Sequence, residues 1–263
     1  MATPNVLILR APGTNCDIET AYAFELAGAK AERLHINRLL EQPQLVGRFQ
    51  ILCVPGGFSY GDDVAAGRIL GNQIRHHLTQ RLGEFKAAGR LILGICNGFQ
   101  VLVRAGLLTQ DDRAEGPAAT LTWNDSGKFE DRWVELEAAG RKCVFLEGIE
   151  GMYLPVAHAE GKFVTRDAGV LARLETAGQL VLRYRPRNGS PRSGAAPTAY
   201  PDNPNGSWGD VAGMCDTTGR VLGLMPHPER HMDPAQHPRW TREAMRREGD
   251  GTAIFANAVR YFA

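Results

Sequence analysis

The stretch that most constrains this chain is Leu91-Ile92-Leu93-Gly94-Ile95-Cys96-Asn97-Gly98-Phe99-Gln100-Val101-Leu102-Val103, where an apolar strand-like run passes directly into a mostly apolar helix closed by Gly106. A buried strand that turns at once into a buried helix needs further layers around it, which only an α/β architecture supplies. The spacing Gly94-x-Cys96-x-Gly98 is that of a nucleophile elbow, a tight turn that lifts one side chain above the end of a sheet. Glycines flank such a turn because the bend leaves no room for Cβ atoms. A free thiol has a pKa of roughly 8.5, and a helix N-terminus or a nearby imidazole favours its thiolate form. Cys96 is therefore expected to be a nucleophile, whereas Cys53 reads as a small buried residue.

The first hundred residues repeat the alternation of strand and helix. Val6 to Leu9 and Ile51 to Val54 read as strands, with another near Ala31 to Ile36, and a helix from about Asp17 to Ala27 ends at Gly28. Leu70, Ile74, Leu78, Leu82 and Phe85 mark one helix face turned toward a core. From about Asp111 to Val221 the pieces are shorter: Trp133 to Leu136, Leu180 to Tyr184, Val211 to Cys215 and Val221 to Met225. Ile254, Phe255, Ala258, Val259 and Phe262 form a closing helical stripe. The expected fold is α/β, a mostly parallel central sheet flanked by helices with a mixed or antiparallel edge, in one domain over 1–263. A Pro/Gly/Ser/Asn-rich loop from Arg185 to Ser207, with Arg187 and Arg192, stands out as long for a compact domain.

Charge and cysteine usage exclude several classes. Thirty basic against 29 acidic side chains leave +1, no net field to hold nucleic acid or an anionic membrane. Five cysteines are an odd number with no CxxC pair, and no run approaches the ~18 apolar residues of a membrane span, so a cytoplasmic, reducing location is expected.

A carbonyl attacked by Cys96 becomes an oxyanion that needs backbone donors, each worth about 3 kcal/mol. The Asn97 amide opening the helix is one, and Gly57, in the Pro55-Gly56-Gly57 turn after a neighbouring strand, is the other. Gln100 lies about one turn beyond Cys96 and either holds substrate or caps a structural network. Downstream, Met225-Pro226-His227-Pro228-Glu229-Arg230 follows an apolar strand, so His227 can serve as base with Glu229 to orient it, two positions apart on one side of an extended backbone. A metal site from His227, His231 and His237 is the rival arrangement; Pro228 and Pro234 oppose a regular helix through all three, and no metal is expected.

Gly94-Ile95-Cys96-Asn97-Gly98-Phe99-Gln100 with Pro226-His227-Pro228-Glu229 resembles the class I (triad) glutamine amidotransferases. Pro12-Gly13-Thr14-Asn15-Cys16-Asp17, Pro55 to Asp63, Pro155-Val156-Ala157-His158-Ala159-Glu160-Gly161 and Asn203-Pro204-Asn205-Gly206-Ser207 resemble more particularly the glutaminase-subunit family of phosphoribosylformylglycinamidine synthases. The resemblance implies hydrolysis of L-glutamine through a thioester on Cys96, with Gln100 and Phe58 in the glutamine pocket. It further implies delivery of ammonia to a synthetase subunit, and a small accessory subunit in the assembly. No cofactor is expected on this chain, which has no GxxxxGK[ST] loop; ATP and magnesium belong to the synthetase. Asp62, Asp63, His158 and Glu160 fall in these motifs without an evident chemical step. Other readings are a peptidase or γ-glutamyl hydrolase using the same three side chains, and a silent assembly subunit.

Overall fold

The computed structural model describes residues 3–109, 116–139, 142–187, 197–242 and 247–263. In chain order its main elements are β1 (Asn5–Arg10), α1 (Asp17–Leu26), β2 (Lys30–His35), α2 (Ile36–Glu41), β3 (Ile51–Val54), α3 (Arg68–His77), α4 (Thr79–Ala87), β4 (Leu91–Ile95) and α5 (Asn97–Arg104). These are followed by β5 (Ala119–Thr122), β6 (Glu130–Ala138), β7 (Gly151–His158), β8 (Lys162–Thr165), α6 (Ala168–Thr176), β9 (Leu182–Arg185), β10 (Val211–Cys215), β11 (Val221–Leu224) and α7 (Thr252–Arg260).

Nine strands form one sheet in the order β2-β1-β3-β4-β11-β10-β9-β6-β7, and β5 pairs with β8 in a separate ribbon. From β2 to β11 the pairing is parallel, and from β11 to β7 it is antiparallel. Every residue of β3, β4 and β11 is buried, as expected of strands covered on both faces. In β7 buried and partly exposed residues alternate, so one face alone is covered. The mostly parallel α/β reading with an antiparallel edge holds, and that edge comprises four strands, β10, β9, β6 and β7.

The apolar stripe from Leu70 to Phe85 is shared by two helices, with all five residues buried. The break falls at Leu78, where the next hydroxyl, Thr79 Oγ1, donates back to Arg75 O at 2.5 Å, a bond that bends a helix. Strand β7 carries no sequence signal of a central strand because Pro155 interrupts it; its place at the end of the sheet tolerates the missing N–H. In the loop after β9, Arg187 pairs with Asp202 at 3.4 Å, whereas Arg192 lies outside the described residues.

The parallel pairing brings the carboxyl ends of β1, β3, β4 and β11 to one rim, where sites of open α/β sheets form. The segments after β1 and β3 touch there backbone to backbone through a bridge between Thr14 and Gly57.

Candidate active site

Cys96 sits between the last residue of β4 and the first of α5 with φ 50° and ψ −107°, a conformation that a residue with a Cβ adopts only under constraint. The constraint is packing. A β-carbon at Gly98 would lie 1.8 Å from Val54 O, so the start of α5 rests directly on β3 and the chain must bend at residue 96. The Cys96 amide donates to Leu224 O at 2.8 Å, which ties the turn to β11, and the residue is 5 % exposed.

Strand β11 leads into the segment that carries His227. Its continuation is pinned where the His227 amide donates to Pro155 O of β7 at 2.8 Å. His227 Nδ1 lies 2.6 Å from Glu229 Oε1, with both residues buried. The geometric reason differs from the expected extended backbone: Pro228–Arg230 is a single turn of 3-10 helix, which folds the carboxylate back under the ring. A carboxylate can only accept, so Nδ1 carries the proton and Nε2 is left for chemistry. Burial alone would lower the His227 pKa, but Glu229 first, then Cys96 and Cys16, outweigh it and hold the imidazolium well above the ordinary histidine range. The Cys96 thiol itself points to Ala157 O at 3.7 Å, and His227 Nε2 is buried without a hydrogen-bond partner among the described residues.

Around this pair, the Gly57 N–H donates to no other described residue, and Asn97 opens α5, where an N–H has no intrahelical acceptor. The Asn97 side chain is a hub. Its Oδ1 accepts from Ser59 N at 3.2 Å, and its Nδ2 donates to Asp62 Oδ1 at 3.1 Å and Gln100 Oε1 at 2.9 Å. Gln100 Nε2 donates to Glu160 O at 2.6 Å, so both polar ends of Gln100 have protein partners. Burial, followed by the charge of Glu160, pushes Asp62 up to about 6 against bonds from Gly67 and Asn97. Phe58 is 43 % exposed and stacks on Phe129 at 6.4 Å, a rim position.

His158, for which the sequence offers no step, is buried close enough to His227 to feel its charge. Asn124 Oδ1 accepts from Gly161 N at 3.0 Å and lies 3.2 Å from His158 Nδ1, so Nδ1 carries the proton and Nε2 is a buried acceptor without a partner among the described residues. Burial, then repulsion from His227, lowers its pKa from 6.5 to about 3. A depressed histidine favours the folded state above the unfolded pKa and withdraws that support as pH falls from 6.5 toward 3. His158→Gln should remove up to about 1.4 kcal/mol per pH unit of acid destabilisation between pH 6.5 and 5 in denaturant titrations. An unchanged pH slope would contradict the assignment.

Two site residues carried no assignable signal in the sequence. Cys16, just before α1, lies against His227: Cys16 Sγ, a ring nitrogen of His227 and a carboxylate oxygen of Glu229 are all within 4.8 Å of one another. Arg230 Nη2 donates to Cys16 Sγ at 3.1 Å while its Nε donates to Glu19 at 2.9 Å. The motif around Cys16 was visible, but only folding sets it beside a histidine from the other end of the chain. His231 and His237 do not join His227 in a metal-binding group among the described residues; they pack on Trp133 at 4.9 and 5.2 Å.

A thiol on a strained strand-to-helix turn, an imidazole tied to a carboxylate and a sheet rim that gathers them are the parts of a thiol amide hydrolase. Fold and site together define a class I glutamine amidotransferase. The chain belongs to this family: the pattern of the CobB/CobQ-like glutamine amidotransferase domain matches residues 3–262. It is 48 % identical over 262 residues to phosphoribosylformylglycinamidine synthase subunit PurQ of Dehalococcoides mccartyi, covering 99 % of this chain and 98 % of that protein. The PurQ subunit of Archaeoglobus fulgidus is 41 % identical over 271 residues, covering 97 % of this chain and 96 % of that protein. Among solved structures, PurLQS from Thermotoga maritima contains a chain matched with a TM-score of 0.73 at 27 % identity, covering 100 % of both chains.

Proposed function

We propose that the protein is the glutamine-hydrolysing subunit of a phosphoribosylformylglycinamidine synthase. The observation that carries the chemistry is the buried 2.6 Å contact of His227 with Glu229 beside a cysteine held at the strained turn. The Cys96 thiolate adds to the side-chain carbonyl carbon of glutamine, and the oxyanion is met by the N–H groups of Gly57 and Asn97, each worth about 3 kcal/mol. Imidazolium Nε2 gives its proton to the leaving nitrogen, the C–N bond breaks, and ammonia departs from a γ-glutamyl thioester. Neutral His227 then takes a proton from water as it adds to the thioester; the C–S bond breaks and glutamate leaves. Glu229 keeps the ring in one tautomer throughout. Gln100 and Phe58 border the glutamine pocket, Gln100 bracing Asn97 and Phe58 at the mouth.

The ammonia passes to a synthetase subunit that binds ATP and magnesium and forms the amidine; a small accessory subunit completes the assembly. Supporting this reading are the near full-length likeness to PurQ subunits and the match to PurLQS.

Incubation with a diazo ketone analogue of glutamine followed by peptide mapping should place the adduct on Cys96 alone among the five thiols. Glutamate should be released from glutamine when the synthetase is present. An adduct on another thiol would displace the nucleophile, and no glutamate with or without the synthetase would end the proposal.

A further inference from the structure

The rear of the base holds something that glutamine hydrolysis does not require. A second thiol, Cys16, is buried at 1 % exposure with its sulfur inside the 4.8 Å cluster formed with His227 and Glu229. Gly56 makes the meeting possible: a β-carbon there would lie 2.7 Å from His227 Cε1, 3.3 Å from Nδ1 and 3.0 Å from Cys16 Sγ. The sulfur and the Cε1–Nδ1 edge of the ring therefore both border the bare Cα of Gly56. Glu229 adds a second pointer, since its Oε2 is buried without a hydrogen-bond partner among the described residues.

We propose that Cys16, His227 Nδ1 and Glu229 form a binding site for Zn(II) or a similar thiophilic divalent ion, and that its occupation switches glutamine hydrolysis off. Thiolate, imidazole and carboxylate are a donor set that zinc accepts in tetrahedral sites that keep an open position. Bonds of about 2.0 to 2.3 Å require ligand atoms roughly 3.5 Å apart, so the sulfur must close by about 1 Å while the 2.6 Å contact of His227 with Glu229 opens by a similar amount. Charge favours the ion as well. One thiolate and one carboxylate neutralise a dication, whereas a buried unpaired charge would be expelled. On binding, the ion displaces the Cys16 thiol proton and the Nδ1 proton shared with Glu229, and both leave to water. Arg230, 3.1 Å from the sulfur, remains as a hydrogen-bond donor to the bound thiolate, while its Nε stays paired with Glu19 at 2.9 Å. With the metal on Nδ1 the ring can no longer hold the tautomer and charge that the thioester chemistry needs.

Metal binding in this site is independent of the catalytic reading; its inhibitory consequence rests on the role of His227 proposed above. The test uses Co(II) as a spectroscopic stand-in for zinc on the full-length protein. Wild type and Cys96→Ala should both develop a thiolate-to-cobalt charge-transfer band that zinc abolishes, whereas Cys16→Ser should show none. In parallel, zinc should inhibit glutamate release by the complete synthase, reversibly with EDTA, and Cys16→Ser should need at least about tenfold more zinc for half-inhibition. A band that survives Cys16→Ser and disappears in Cys96→Ala would assign the metal to the nucleophile and overturn the proposal. So would no band in any variant, or inhibition that Cys16→Ser leaves unchanged. Absence of glutaminase activity altogether would sink the proposed function while leaving the cobalt band to decide the metal site.

Discussion

Cys96→Ala should lose glutamine-dependent amidine synthesis by at least about 10⁴-fold while ammonia-dependent synthesis by the same complex stays within about twofold of wild type. Without sulfur there is no thioester, and the remaining oxyanion donors and base retain only the slow attack of water. Alanine fits because the strain at residue 96 comes from Gly98 resting on Val54 O, a contact that the substitution does not touch. The buried sulfur is lost with a small cavity, so the thermal midpoint should change little. Measuring both nitrogen donors on one preparation decides the matter. Equal loss with glutamine and with ammonia would make Cys96 a structural residue and leave the family membership without a mechanism.

Glu229→Gln should lower the glutaminase kcat by about 10² to 10⁴-fold, with a smaller effect on KM. The amide has nearly the shape of the carboxylate but no charge. Glu229 is the largest of the influences that raise His227, and burial, larger still, opposes them. With the carboxylate gone, burial prevails and the imidazole becomes neutral at neutral pH. The sign follows from the direction of the shift. In the wild type the imidazolium persists through neutrality and is lost as pH rises through its elevated pKa, so the ring-proton resonances of His227 should titrate with a midpoint well above the ordinary histidine range. In the variant, the midpoint of that titration profile should move to lower pH. A profile that does not move would show that Glu229 holds the ring by geometry alone.

These two residues also show how much could be read beforehand. The elbow was legible because its cause is local: glycines two positions either side of the thiol, an apolar strand before it and an apolar helix after it. The pairing of His227 with Glu229 is legible as a pair, but the path of the chain between them is not. The expected extended chain is a 3-10 turn beginning at Pro228, because proline fixes a helical φ at the first position and lets the chain close on itself. Gln100, open between a substrate contact and a structural network, is held at both polar ends by Asn97 and Glu160. The extent of the antiparallel half was hidden for a related reason. Strand β7 alternates in burial, contains Pro155, and becomes a strand through its ladder with β6.

The sequence by itself determined the parallel half of the sheet, the bend at Cys96 and the neighbouring placement of His227 and Glu229, since periodicity and steric exclusion act over a few positions. The tertiary structure alone decided the rest. It put Cys16 behind His227 across Gly56, sank His158 beside the same base until burial drove its pKa to about 3, and made β7 the wall against which both the thiol and the base are pinned. Those outcomes depend on which surfaces lose water together, and distant parts of a chain settle that only when they pack.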